Sequence, residues 1–118
     1  MPRGAMTERQ VPAALQAALG QAVARLRQTF GARLIEVRLF GSHARGEAGP
    51  ESDVDVFVLL DEVRDVHDRS AAMGAVIDVG LELDLPLEPM VLGVADLEFR
   101  RRCETALARA LDEEGVVL

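Results

Sequence analysis

Asp53 and Asp55 stand two residues apart in a stretch that is otherwise Val, Phe and Leu. A strand alternates its side chains, so this spacing puts both carboxylates on one face, close together. Two like charges side by side on an apolar strand are costly unless a cation lies between them. Mg2+ is the natural cation, because it takes hard oxygen ligands from one or two carboxylates and from substrate phosphates. Just upstream lies the pair Gly41-Ser42. Glycine lets the backbone turn sharply and a ligand come close. The Ser42 hydroxyl, at the start of a short helical turn with free N–H groups, would favour a phosphate. A Gly-Ser pair alone is an ordinary turn, and two Asp alone are an ordinary solvated strand start. Together, in one short stretch, they point to a phosphate held against a divalent ion.

The elements that must hold these groups follow from hydrophobic spacing. Leu15, Ala18, Leu19, Ala22, Val23 and Leu26 recur on one face and predict a helix from about Val11 to Thr29, with Pro12 in its first turn and Gly31 as its cap. Leu34 to Phe40 alternates, with Ile35, Val37 and Leu39 on one side and Glu36 and Arg38 on the other. Gly41 to Ser52 is a polar, Gly/Pro-punctuated loop, and Asp53 to Leu60 is a second strand. A second helix runs from about Val63 to Leu83, with Val66, Met73, Val76, Ile77, Gly80 and Leu81 inward, and Pro86 breaks the pattern. Leu87 to Leu92 is a third strand, where Pro89 suggests a sheet edge. Asp96 caps a last helix from about Leu97 to Glu114, with Phe99, Cys103, Ala106, Leu107, Ala110 and Leu111 inward; Gly115 ends it and Val116 to Leu118 pack back. The loop between the first two strands is short for a helical crossover, so they pair antiparallel, whereas the third follows a full helix and runs parallel to the second. The fold class is α/β in the α+β sense: a small mixed sheet with helices mainly on one side.

Composition bounds the rest. The 118 residues suit one domain at 11–118 behind a flexible leader at 1–10, and Met1 to Gln10 lacks the apolar stretch of a signal peptide. With 13 basic and 20 acidic side chains the net charge is -7, which disfavours broad binding to nucleic acid, and four Phe as the only aromatics argue against a base-stacking surface. No apolar run approaches the roughly 20 residues of a membrane span. The single Cys103 rules out an internal disulfide and suits the cytoplasm.

Read as a motif, Gly41-Ser42-His43-Ala44-Arg45-Gly46 followed by Ser52-Asp53-Val54-Asp55 resembles the signature of the DNA polymerase beta-like nucleotidyltransferase superfamily, especially the minimal nucleotidyltransferases of bacteria and archaea. The dense match covers about 20 residues, and element order and length agree over most of the chain. The resemblance implies transfer of a nucleoside monophosphate, AMP from ATP, to a hydroxyl, with release of pyrophosphate. It places Gly41 and Ser42 on the β- and γ-phosphates, puts Arg45 and Ser52 at the nucleotide site, and gives one or two Mg2+ ions to Asp53 and Asp55. Arg45 would face phosphate or brace the loop through a carboxylate. The family usually adds a third carboxylate on the next strand, as metal ligand and general base. Glu88 matches it best, Asp84 is the runner-up, and the third alternative is that none exists and the copy is weakly active or inactive.

The remaining candidates have plain readings. His43 is a loop histidine, His67 lies on the wet face of a helix start, Cys103 is a core residue rather than a nucleophile, and Arg100, Arg101 and Arg102 fan out around a helix. At this length no room remains for a separate acceptor domain, so a homodimer or another protein completes the site. The resemblance is closest to small nucleotidyltransferase antitoxins of the type VII kind, which pair with a HEPN ribonuclease toxin from an adjacent gene and adenylylate a toxin tyrosine. Two alternatives stand beside it: a nucleotidyltransferase acting on a small, aminoglycoside-like alcohol, and a catalytically silent binding module that masks a partner by contact.

Overall fold

Apolar positions at helical and alternating spacing fold onto one another in the computed structural model, which describes residues 12–41 and 53–118. The proposed leader and the stretch Ser42 to Ser52 lie outside the described residues. The elements are α1 (Ala13–Phe30), a short 3-10 turn at Gly31–Arg33, β1 (Leu34–Phe40), β2 (Val54–Leu60), α2 (Val66–Leu83), β3 (Leu87–Gly93), α3 (Val94–Arg102), α4 (Ala106–Glu114) and β4 (Val116–Val117). The sheet order is β3-β2-β1-β4. β1 pairs antiparallel with β2 and with β4, and β2 pairs parallel with β3. Pro89 therefore lies on an edge strand, where its missing N–H costs no ladder bond.

Alternation divides each strand between two apolar layers. Val54, Val56, Val58 and Leu60 of β2 enter the larger core with Leu15, Leu19 and Leu26 of α1 and Val76 and Val79 of α2. Phe57 and Leu59 point the other way and meet Leu97 of α3 and Leu111 of α4. The two long helices thus cover one face, and the two short ones cover part of the other. Gly80 lets α2 settle on β3, since a Cβ there would lie 2.7 Å from the Leu85 carbonyl and 3.3 Å from the Leu87 side chain. Gly20 and Gly74 meet nothing within 4 Å and lie inside α1 and α2. Each changed to Ala should raise stability by roughly 0.5–1 kcal/mol, read as a higher urea midpoint.

Four details differ from the sequence-based expectation. The first strand carries a bulge between Leu34 and Glu36, so Ile35 has no cross-strand partner and stands 51% exposed rather than inward with Val37 and Leu39. The second long helix begins at Val66 rather than near Val63; the Asp65 side chain accepts the Asp68 N–H and fixes that start. On α2 the buried stripe is Ala72, Val76, Val79 and Gly80, with Met73 partly buried, whereas Val66 and Leu81 are exposed and Ile77 nearly half so. The last helix is two. Glu104 adopts φ 53 and the Thr105 hydroxyl accepts the Ala108 N–H, restarting the chain as α4. That turn lets Leu111 reach the sheet and β4 pair with β1, and it leaves Phe99 and Cys103 exposed rather than inward. Asp96 lies in the first turn of α3 instead of capping it, because the helix begins at Val94.

Arg33 ties three segments together. Its guanidinium contacts Asp68 at 2.7 Å and Asp61 at 3.2 Å, and donates to the Glu62 carbonyl. Hydrogen bonding from Arg33, then from the Arg64 backbone N–H, lowers the Asp68 carboxyl from 3.8 to about 2. A depressed carboxyl stabilises the fold fully above its unfolded value and loses that contribution as pH falls through its folded value. The urea midpoint should therefore fall between pH 3.8 and about 2 more steeply in the wild type than in Asp68→Asn, which lacks the titration.

Candidate active site

The strands that carry the acidic residues meet in register. Phe40 of β1 lies opposite Asp55, and Asp55 lies opposite Glu88 of β3. Val54 and Val56 point into the core under α1 and α2, so alternation puts Asp55 on the opposite face. Leu87 and Val91 enter that same core, so Glu88 shares the face of Asp55. Neighbouring strands are about 4.8 Å apart, so the two carboxylates stem from adjacent backbone positions. Asp53 is exposed, one residue before β2, where the Val54 N–H donates to the Pro86 carbonyl and so begins the pairing with β3.

Gly41 closes the other flank. It follows β1 with φ 76, a conformation L side chains rarely adopt. A Cβ there would collide with Oδ2 of Asp55. The backbone at the end of β1 therefore lies directly against this carboxylate, and only glycine leaves the space open. Gly41, Asp55 and Glu88 line up across three strands: a backbone turn, then two carboxylates on one face. Two carboxylates at adjacent positions on one face are hard oxygen donors of the kind a divalent cation takes. Among the described residues no three acidic, His or Cys side chains are already gathered at metal-binding distance.

The other sequence-derived candidates fall as follows. Ser42, His43, Arg45 and Ser52 lie outside the described residues. Asp84 is exposed and caps α2 with φ 54, its N–H donating to the Gly80 carbonyl. His67 is exposed in the first turn of α2. Arg101 pairs with Asp112 at 2.7 Å, and Arg102 lies over the Phe99 ring at 6.0 Å, so these two neighbouring arginines do separate things. Sequence reasoning passed over Phe40 and Met90. Both flank the acidic row, Phe40 half-buried and Met90 38% exposed. Their signal was the strand parity already used for the aspartates.

A mixed sheet with a glycine turn after its first strand and acidic residues on the next two can hold phosphate oxygens beside a divalent cation. The chain belongs to the nucleotidyltransferase domain family, whose profile matches residues 19–112, and it is a minimal nucleotidyltransferase. A candidate protein adenylyltransferase of Methanocaldococcus jannaschii is 27% identical over 84 residues, which are 71% of this chain and 78% of that protein. The protein adenylyltransferase MntA of Thermococcus cleftensis is 50% identical over 38 residues, 32% of this chain and 36% of that protein. A candidate nucleotidyltransferase from Sulfolobus solfataricus superposes with a TM-score of 0.54 at 20% identity, over 88% of this chain and 84% of that one. A toxin–antitoxin crystal structure with AMP-PNP gives a TM-score of 0.55 at 22% identity, over 81% of this chain and 68% of that one. At these identities the structural likeness speaks for the fold. The expected mixed sheet, its strand directions and the long helices on one face agree with it. No helix among the described residues is long and apolar enough to cross a membrane.

Proposed function

We propose that this chain is a Mg2+-dependent protein adenylyltransferase that transfers AMP from ATP to a tyrosine of a HEPN-type toxin encoded beside it, and so acts as the antitoxin of a type VII-like pair in the cytoplasm. The observation that carries the reading is the row Gly41, Asp55, Glu88, in which a close-approach backbone turn stands beside two registered carboxylates. The adenylyltransferase names of the sequence relatives support a protein as acceptor, and the toxin–antitoxin character of a structural neighbour supports the setting.

In this reading Asp53, Asp55 and Glu88 hold the metal, with Gly41, Ser42, Arg45 and Ser52 at the nucleotide. Mg2+ bound there would neutralise charge on the phosphoryl groups. Gly41 admits the β- and γ-phosphates without a side chain in the way. Glu88 takes the proton of the acceptor hydroxyl as its oxygen bonds to the α-phosphorus and the bond to the β-phosphate oxygen breaks, releasing pyrophosphate. The docked partner supplies the acceptor and excludes water, which otherwise competes for the same phosphorus.

The test is coexpression with the product of the adjacent gene and intact mass spectrometry of that product. The expected result is one added adenylyl group, absent when Asp53 and Asp55 are both changed to Asn. A complex that forms without any adduct would make the chain a silent binding module. Efficient transfer to a free aliphatic, aminoglycoside-like alcohol with no partner present would favour the small-molecule alternative. The net charge of -7 further predicts a basic partner surface and a complex that weakens as salt rises.

A further inference from the structure

The sheet order separates the two sides of the reaction. Gly41 touches Asp55 from the β1 side, and Glu88 adjoins it from the β3 side. In an in-line displacement the attacking oxygen and the leaving pyrophosphate lie on opposite sides of the phosphorus. With the leaving group over Gly41, the acceptor oxygen comes from over β3. Among the described residues β3 is an edge strand, so an acceptor reaches it without passing another described strand.

One exposed apolar side chain stands beside Glu88 on this strand. Met90 follows Glu88 by two residues on β3, about 6.6 Å along the strand and on the same face. It is registered with Phe57, which is buried beneath α3 and α4, yet Met90 itself remains 38% exposed. An exposed methionine beside an acidic pair offers no charge to a phosphate. It offers a polarizable, adaptable apolar surface, and a thioether makes favourable contact with an aromatic ring.

We infer that Met90 is a specificity residue on the acceptor side of the site, receiving the ring of a phenolic acceptor while its hydroxyl reaches Glu88. The inference rests on the transferase reading above, tyrosine acceptor included, and adds to it the residue of this chain that selects that acceptor. The phenol oxygen bonds to the α-phosphorus, its proton passes to the Glu88 carboxylate, and pyrophosphate departs on the Gly41 side. Phenols suit a carboxylate base, because their hydroxyl ionises far more readily than that of serine or threonine.

The experiment uses the full chain, Mg2+ and α-labelled ATP, with N-acetyltyrosinamide and N-acetylserinamide as acceptor probes. Wild type should label the tyrosine probe in preference to the serine probe. Met90→Ser should raise KM for the tyrosine probe roughly tenfold, with kcat and the release of AMP to water within about twofold of wild type. Met90→Leu, which keeps an apolar surface, should restore KM to within about threefold. Because Met90 is substantially exposed, both variants should melt near the wild-type temperature, which circular dichroism checks. An unchanged KM in Met90→Ser, or an equal rise for both probes, overturns the inference and leaves the transferase reading intact. Label released to water with neither probe modified also overturns it. No turnover of ATP with either probe or with water removes nucleotidyl transfer itself, and the inference with it.

Discussion

Asp55→Asn should lower nucleotidyl transfer by roughly a thousandfold or more in a protein that melts within a few degrees of the wild type. The two halves of this expectation have separate causes. Asp55 lies between Gly41 and Glu88 on the shared face, so it is the carboxylate through which metal and phosphate would both be held. Asn keeps the shape but loses the charge that a divalent cation needs. Asn also keeps the volume and a hydrogen-bonding oxygen of the native side chain, so the fold should be little disturbed by the change. A loss of activity accompanied by a fall in melting temperature of more than a few degrees would mean that Asp55 is chiefly structural. The measurement pairs label transfer from α-labelled ATP with a thermal melt, both made with and without Mg2+. Mg2+ should raise the melting temperature of wild type and leave Asp55→Asn unmoved, since a ligand stabilises only the state that binds it.

Gly41→Val should abolish measurable binding of Mg-ATP, and Gly41→Ala should weaken it by more than tenfold. Two effects add at this position. Its φ of 76 is strained for any residue with a Cβ, and the new atom would fall on Oδ2 of Asp55. The backbone must then shift or the carboxylate must turn, and either change separates the turn from the acidic row. Both variants should also lose roughly 1–2 kcal/mol of stability from the backbone alone. Titration calorimetry with the nonhydrolysable ATP analogue reads the first effect and a urea melt reads the second. Unchanged affinity in Gly41→Val would place the triphosphate elsewhere.

The spacing of residues along the chain determined much of this protein. Period-two alternation in Leu34 to Phe40 and Asp53 to Leu60 settled two strands and the face on which Asp55 stands. The short connection made those strands antiparallel and the helical one made β3 parallel, because handedness and reach leave few other choices. Helical spacing found the inner face of α1, whose burial at Leu15, Ala18, Leu19, Ala22 and Leu26 follows the pattern. Spacing failed wherever the answer depended on a partner that is distant in sequence. Val66, Ile77 and Leu81 keep helical period as well as the buried stripe does, and only the placement of α1 and β3 decides which stripe of α2 is covered. Phe99 and Cys103 continue the period of Leu107 and Leu111, but the turn at Glu104 breaks it so that α4 can cover Phe57. Ile35 alternates correctly along its own strand, yet a bulge against β2 turns it outward. The site divides in the same way. The acidic pair and the glycine turn are local and legible in the chain. The tertiary structure alone decided that the Gly41 backbone closes on Asp55 and that Glu88 comes level with it while Asp84 caps a helix. Register between strands is set by the packing of both sheet faces at once, and no single segment contains that information.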